Sequence, residues 1–186
     1  MNTPRIPPKP IAEFDDGLKQ AFGNFISGDK LYNVFATLAH HSDLVKGWVP
    51  FITHILTTST LSARDREVLI LRIGWLCQSK YEFVQHVLVG QLEGLSDQEI
   101  QQIKTGPDAE GISEHDSTLL RAVDELHSQA NISDAVWQQL AGFYSQQQIM
   151  DVVFTVGNYN MIAMALNSFG VDLEDDIAAF APYFEP

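Results

Sequence analysis

Residues 79–86 read SKYEFVQH and place Ser79, Glu82 and His86 three and four positions apart, on one face of a helix, with Gly90 continuing the stripe. A carboxyl at i and an imidazole at i+4 can hydrogen-bond, which would hold the ring in one orientation. Such a pair is equipment for proton transfer. Glu67 is the second candidate. On its own helix it shares a face with Ala63, Ile70, Leu71 and Gly74, where a carboxylate is costly unless it finds a partner. Periodicity alone also allows plainer readings: a solvated stripe over 79–86, and a first-turn Glu67 that favours the helix dipole and reaches water. Glu67, Glu82 and His86 together would also suit a divalent cation chemically.

Cys77 is the single cysteine, so an internal disulfide and a cysteine-cluster metal site are excluded. It stands two residues before Ser79, which is about 200° around an ideal helix. Its neighbours are apolar, which raises a thiol pKa and suits a packing role.

These residues need helices to carry them. Ser62, with Asp65 in the capping-box position, predicts a helix start, and ARDREVLILRIGWLC is apolar nearly all round from Val68, as a central helix would be. A helix over 79–93 ends at Gly94. LSDQEI is a capping box at Ser96 and Glu99, opening a short helix that stops near Gly106 and Pro107. Further helices are expected over 113–130, after Ser133, and from about Ser145 to Ser168. Upstream, helical spacing covers 12–27, 29–40 and 42–57, the last kinked or split by Pro50. No strand-like alternation stands out. The fold class is therefore all-α, with about eight or nine helices. A proline-rich extended arm (1–11) precedes one domain (12–170), and an acidic tail (171–186) ends in a turn and an arm.

The 186 residues suffice for one domain with a real core. With 11 basic against 24 acidic side chains the net charge is -13, densest at DLEDD (172–176), which disfavours nucleic acid and anionic membrane as partners. No apolar run of about 20 residues is evident and the N-terminus lacks the apolar region of a signal peptide, so the cytoplasm is the expected location.

The segment LSARDREVLILRIGWLCQSKYEFVQHVLVGQLEGLSDQEI resembles the carboxymuconolactone decarboxylase family, which includes the alkyl hydroperoxidase D-like proteins. It has the family's arginine- and glutamate-bearing helix, its YE(F/W)xxH segment, a glycine and a capped short helix. LLRAVDEL and YNMIAMALNSFGV extend the likeness over about 50–175. The hydroperoxidase branch carries a C-x-x-C pair, whose positions fall on Ser79 and Glu82. Its distal histidine falls on His86, its upstream glutamate on Glu67, and a further histidine on Tyr81. Both sulfurs are missing, so a dithiol peroxidase mechanism is not expected. The decarboxylase branch carries a glutamate four residues before the histidine, as here. The resemblance implies an acid–base enzyme on a small carbonyl or lactone compound, with no metal or organic cofactor. It implies Glu67, Glu82 and His86 as catalytic groups, Glu82 orienting His86, and Ser79 and Tyr81 as substrate-binding donors. It also implies a homo-oligomer, trimer or hexamer. A dianionic lactone would need cations. Arg64, Arg66 and Arg72 are close in sequence but fall on different helix faces, so no carboxylate clamp is evident.

Overall fold

The computed structural model describes residues 4–185; the first three residues of the expected arm and the last of the expected tail lie outside them. Among the described residues there are nine α-helices and no strand. They are α1 (Asp16–Ala21), α2 (Asn33–Leu38), α3 (Ser42–Thr53), α4 (Ala63–Leu76), α5 (Lys80–Leu92), α6 (Asp97–Thr105), α7 (Glu114–Gln129), α8 (Asp134–Phe143) and α9 (Gln146–Phe169).

Serine starts five of them. The hydroxyls of Ser62, Ser96, Ser113, Ser133 and Ser145 accept from an amide in the first turn of α4, α6, α7, α8 and α9, and the Ser96–Glu99 box closes reciprocally. The central helix is α4. Val68, Leu69, Ile70, Leu71 and Ile73 are all fully buried where α5, α6, α7 and α9 pack around it. Arg72 is buried in the same helix because it is saturated: two bonds to Asp124 (2.7 and 2.9 Å) and two to the carbonyls of Ile103 and Lys104.

The first third of the chain is less helical than its periodicity predicts. The expected helix 12–27 is a 3-10 turn at Ile11–Glu13 followed by the short α1, capped by Asp15. Phe14, Leu18 and Phe22 are buried at helical spacing, but they meet Phe35 across a turn and Gly28 (φ 60°) ends the segment. α3 runs through Pro50 without breaking and gives way only at His54–Thr58, to a π turn. The arm lies over its own chain: the Arg5 and Ile6 amides donate to the Phe169 carbonyl and Lys9 to Ala36. The tail is not an arm. It forms a 3-10 helix, Ala178–Phe184, against α5, tied down by Lys104 Nζ on the Tyr183 carbonyl.

α9, at 24 residues, is long and apolar enough to cross a membrane by length and composition alone. Half of that stretch is buried inside the protein, the pattern of a core helix.

Two apolar cores result. One surrounds α4; the other gathers Phe14, Phe22, Phe35 and Val45 from the N-terminal segment with Ile162 and Leu166 of α9. The candidate site lies at the seam between them.

Candidate functional site

α4 and α5 run side by side, and each houses an acid of its own opposite a glycine of the other. A Cβ on Gly90 would stand 3.8 Å from the Glu67 Cβ and 3.4 Å from Leu71; one on Gly74 would stand 3.2 Å from Glu82 Oε1. Close approach of the helices there delivers the main contact of the site. His86 Nδ1 and Glu67 Oε2 are 2.6 Å apart, with Glu67 fully buried and His86 8% exposed. Arg66 Nε donates to the other oxygen of Glu67 at 3.4 Å. With Nδ1 held by the carboxylate, Nε2 is the nitrogen left to exchange a proton.

Glu82 does something different from what its spacing predicts. It does not orient His86; Glu67 does. The Glu82 carboxyl turns toward Gly74, and neither oxygen has a hydrogen-bond partner among the described residues. Burial alone pushes its pKa well above the ordinary carboxylate value, which favours the protonated, uncharged form.

Glu67, Glu82, His86 and Arg66 meet at a cavity of about 300 Å³. Phe25, Phe35 and Trp48 close it from the N-terminal side, and Tyr159, Ile162 and Leu166 from α9. The Tyr159 ring stands edge-on to His86, centroids 5.0 Å apart. Burial, and then the Glu67 carboxylate, raise the Tyr159 pKa well above its usual value, which keeps the phenol a donor. Nothing local in the chain marks Tyr159 as a cavity residue.

Two expected substrate contacts sit elsewhere. Ser79 is fully buried just ahead of α5, its hydroxyl without a partner among the described residues, and it does not line the cavity. Tyr81 points to the opposite side of α5, into the second core, where its hydroxyl donates to Glu174 (2.7 Å) and accepts from the Val34 amide (3.3 Å). Tyr81 is one residue from Glu82, and one residue turns a helix by about 100°. Cys77 is also outside the cavity. Its thiol donates to Asn160 Oδ1 at 3.0 Å, and burial, then Glu82, pushes its pKa up to about 11. Among the described residues no three His, Cys, Asp or Glu side chains are arranged to hold a metal ion. A wider depression of about 670 Å³ between the arm and the acidic tail shares only Phe25 and Tyr32 with the cavity.

A scan against protein-family models and a search of curated proteins found no match. Solved structures do match. A peroxidase-related protein from Ralstonia eutropha JMP134, described as an alkylhydroperoxidase AhpD core, superposes with a TM-score of 0.80 at 16% identity, over 95% of this chain and 96% of its own. The debrominase Bmp8, as a cysteine-to-alanine variant in complex with 2,3,4-tribromopyrrole, gives 0.78 at 13% identity, over 100% and 99%. A peroxidase-related protein from Silicibacter sp. TM1040 gives 0.76 at 16% identity, over the full length of both chains. At these identities the likeness is one of fold: the chain has the all-α, alkyl hydroperoxidase D-like fold.

Proposed function

We propose that the protein is an acid–base enzyme acting on a small carbonyl- or lactone-containing compound, with proton-transfer chemistry of the carboxymuconolactone decarboxylase kind. The observation that carries this reading is the Glu67–His86 pair, 2.6 Å apart, at the wall of an apolar cavity that also holds the buried carboxyl of Glu82, unpaired among the described residues. A base oriented by a carboxylate stands at the same cavity as a carboxyl whose burial favours its protonated form. That is the arrangement general acid–base catalysis uses.

In this reading His86 Nε2 takes a proton from carbon next to the substrate carbonyl, or from an attacking water. Glu67 holds Nδ1 and balances the imidazolium that forms. Glu82 and the Tyr159 hydroxyl donate to the oxygen on which negative charge develops. The apolar walls keep water away from that oxygen and strengthen those bonds.

A thiol-based peroxidase is the second reading, and it fits less well. The chain's one thiol stands outside the cavity, its pKa pushed up to about 11 by burial. Neighbours of this fold include proteins named as peroxidase-related and one debrominase, so the fold itself does not choose between chemistries.

The test is a panel of small lactones and keto acids incubated in deuterated water, followed by NMR for exchange next to the carbonyl and for loss of carboxylate. Wild type is expected to turn over at least one member, and His86→Ala to lose that turnover while keeping its helical content. Turnover equal in wild type and variant overturns the proposal.

A further inference from the structure

We infer that Arg66 is the anion-recognition residue of the cavity, and that the site takes a small monoanion: one carboxylate on a flat, apolar body. The inference deepens the acid–base reading by naming its substrate class; the anion site itself stands or falls on binding alone.

Arg66 lines the cavity with its side chain 11% exposed. Only Nε is engaged, on Glu67 Oε1; the two terminal nitrogens have no partner among the described residues. The other two arginines nearby are spent. Arg64 is bound to Asp116 and Glu99, and Arg72 to Asp124 and two carbonyls. A guanidinium pinned along one edge and open along its terminal fork is preorganised for a carboxylate, which it binds through two parallel hydrogen bonds.

Four side chains other than tyrosines can carry charge at this cavity: Arg66, Glu67, Glu82 and His86. Glu67 offsets Arg66, burial favours the uncharged form of Glu82, and His86 carries no charge or one positive charge. Inside a chain of net charge -13, the cavity therefore offers one cation with an open fork, beside a carboxyl that burial biases away from its charged form. One anion is welcome there. A second has no cation to meet, and would lie against Glu67 or against Phe25, Phe35 and Trp48. The aromatic side chains favour a flat hydrocarbon body, and a volume of about 300 Å³ is at the small end for ligand sites, which run from about 300 to 1,000 Å³. A dianionic lactone is thus a poor fit, which departs from what the sequence resemblance implies.

The experiment is calorimetric titration with benzoate, benzamide and phthalate as probes near pH 8. Benzoate is expected to bind wild type, and phthalate to bind about tenfold more weakly or worse. Arg66→Gln is expected to weaken benzoate by about tenfold or more and to leave benzamide unchanged; Arg66→Lys should fall between. No benzoate binding to wild type, phthalate as tight as benzoate, or benzoate affinity unchanged in Arg66→Gln overturns the inference. The benzoate–phthalate comparison uses wild type, so it holds even where a variant fails to fold. His86→Gln should still bind benzoate. If it does, while turnover by the deuterium test proves independent of His86, the anion site stands and the acid–base reading fails. The reverse pattern sinks only the anion site.

Discussion

Two clusters of histidine, carboxylate and arginine start from the first turns of α4, and they are built from nearly the same parts. Arg66 and Glu67 reach His86 on α5. Arg64 and Asp65 reach His115 and Asp116 at the start of α7, with Tyr144 between Asp65 (2.9 Å) and His115 (2.7 Å). In the second cluster the donors and acceptors are used up. Asp116 takes two bonds from Arg64 and one from His115, and the Tyr144 hydroxyl is shared by two partners. In the first, both Glu82 oxygens are without a partner and Arg66 is engaged only through Nε among the described residues, and both side chains stand at a cavity. Residue type does not separate a site from a strut. What separates them is polar capacity the protein leaves unused, next to space for something else to use it.

The sharpest way to break this contrast is to remove each histidine. His86→Ala should lower turnover by about 10² to 10⁴ with unchanged circular dichroism, and His115→Ala should leave turnover per folded molecule alone. Equal losses in the two variants would mean that the clusters do the same job. Next comes the strut. Asp116→Ala strips Arg64 of its paired bonds and should cost about 2 kcal/mol in urea denaturation, with kcat kept.

The third effect is one of sign. Burial raises the Glu82 pKa, so the folded state holds a proton that the unfolded chain releases. Stability from this group is complete below the ordinary glutamate value and falls as pH rises toward its folded value. Asp116 is the reverse: burial opposes its charge, but the Arg64 and His115 bonds win and hold it below the ordinary value. Its contribution is complete above that value and is lost as pH falls through the folded one. Urea midpoints against pH should therefore show Glu82→Gln gaining on wild type toward alkaline pH, and Asp116→Asn losing its deficit toward acid pH. Each slope is bounded by about 1.4 kcal/mol per pH unit for one proton. Parallel curves for Glu82→Gln and wild type would show that Glu82 is not buried as a neutral acid. The smallest effect is expected at Cys77. Cys77→Ser should change stability by less than about 1 kcal/mol and leave activity intact, and a large activity loss would return the thiol to the mechanism.

Much of this was legible in the chain. Serine caps mark helix starts because the capping bond is local, and α4 reads as central because nothing polar interrupts 68–71. The Glu67–His86 contact was not legible. Spacing rules see along a helix, so they pair His86 with Glu82; the actual partner comes from the facing helix. Arg66 was dismissed because its Cα lies off the shared face, but a long side chain can swing to a cavity that a helical wheel does not contain. The N-terminal segment was over-read because Phe14, Leu18 and Phe22 pack at helical intervals around a turn.

Gly74 and Glu82 are two residues sharing one volume. A methyl group at 74 would press on the Glu82 carboxyl, 3.2 Å from Oε1, and force it to shift. The acid therefore depends on what is missing from the opposite helix. In this chain the residue at 74 limits the room left for the side chain at 82, and so bears on which chemistry that wall of the cavity can present. An alanine there would fit a shorter group; a glycine leaves room for a carboxyl. The two positions belong in one alignment column of meaning, although eight residues separate them.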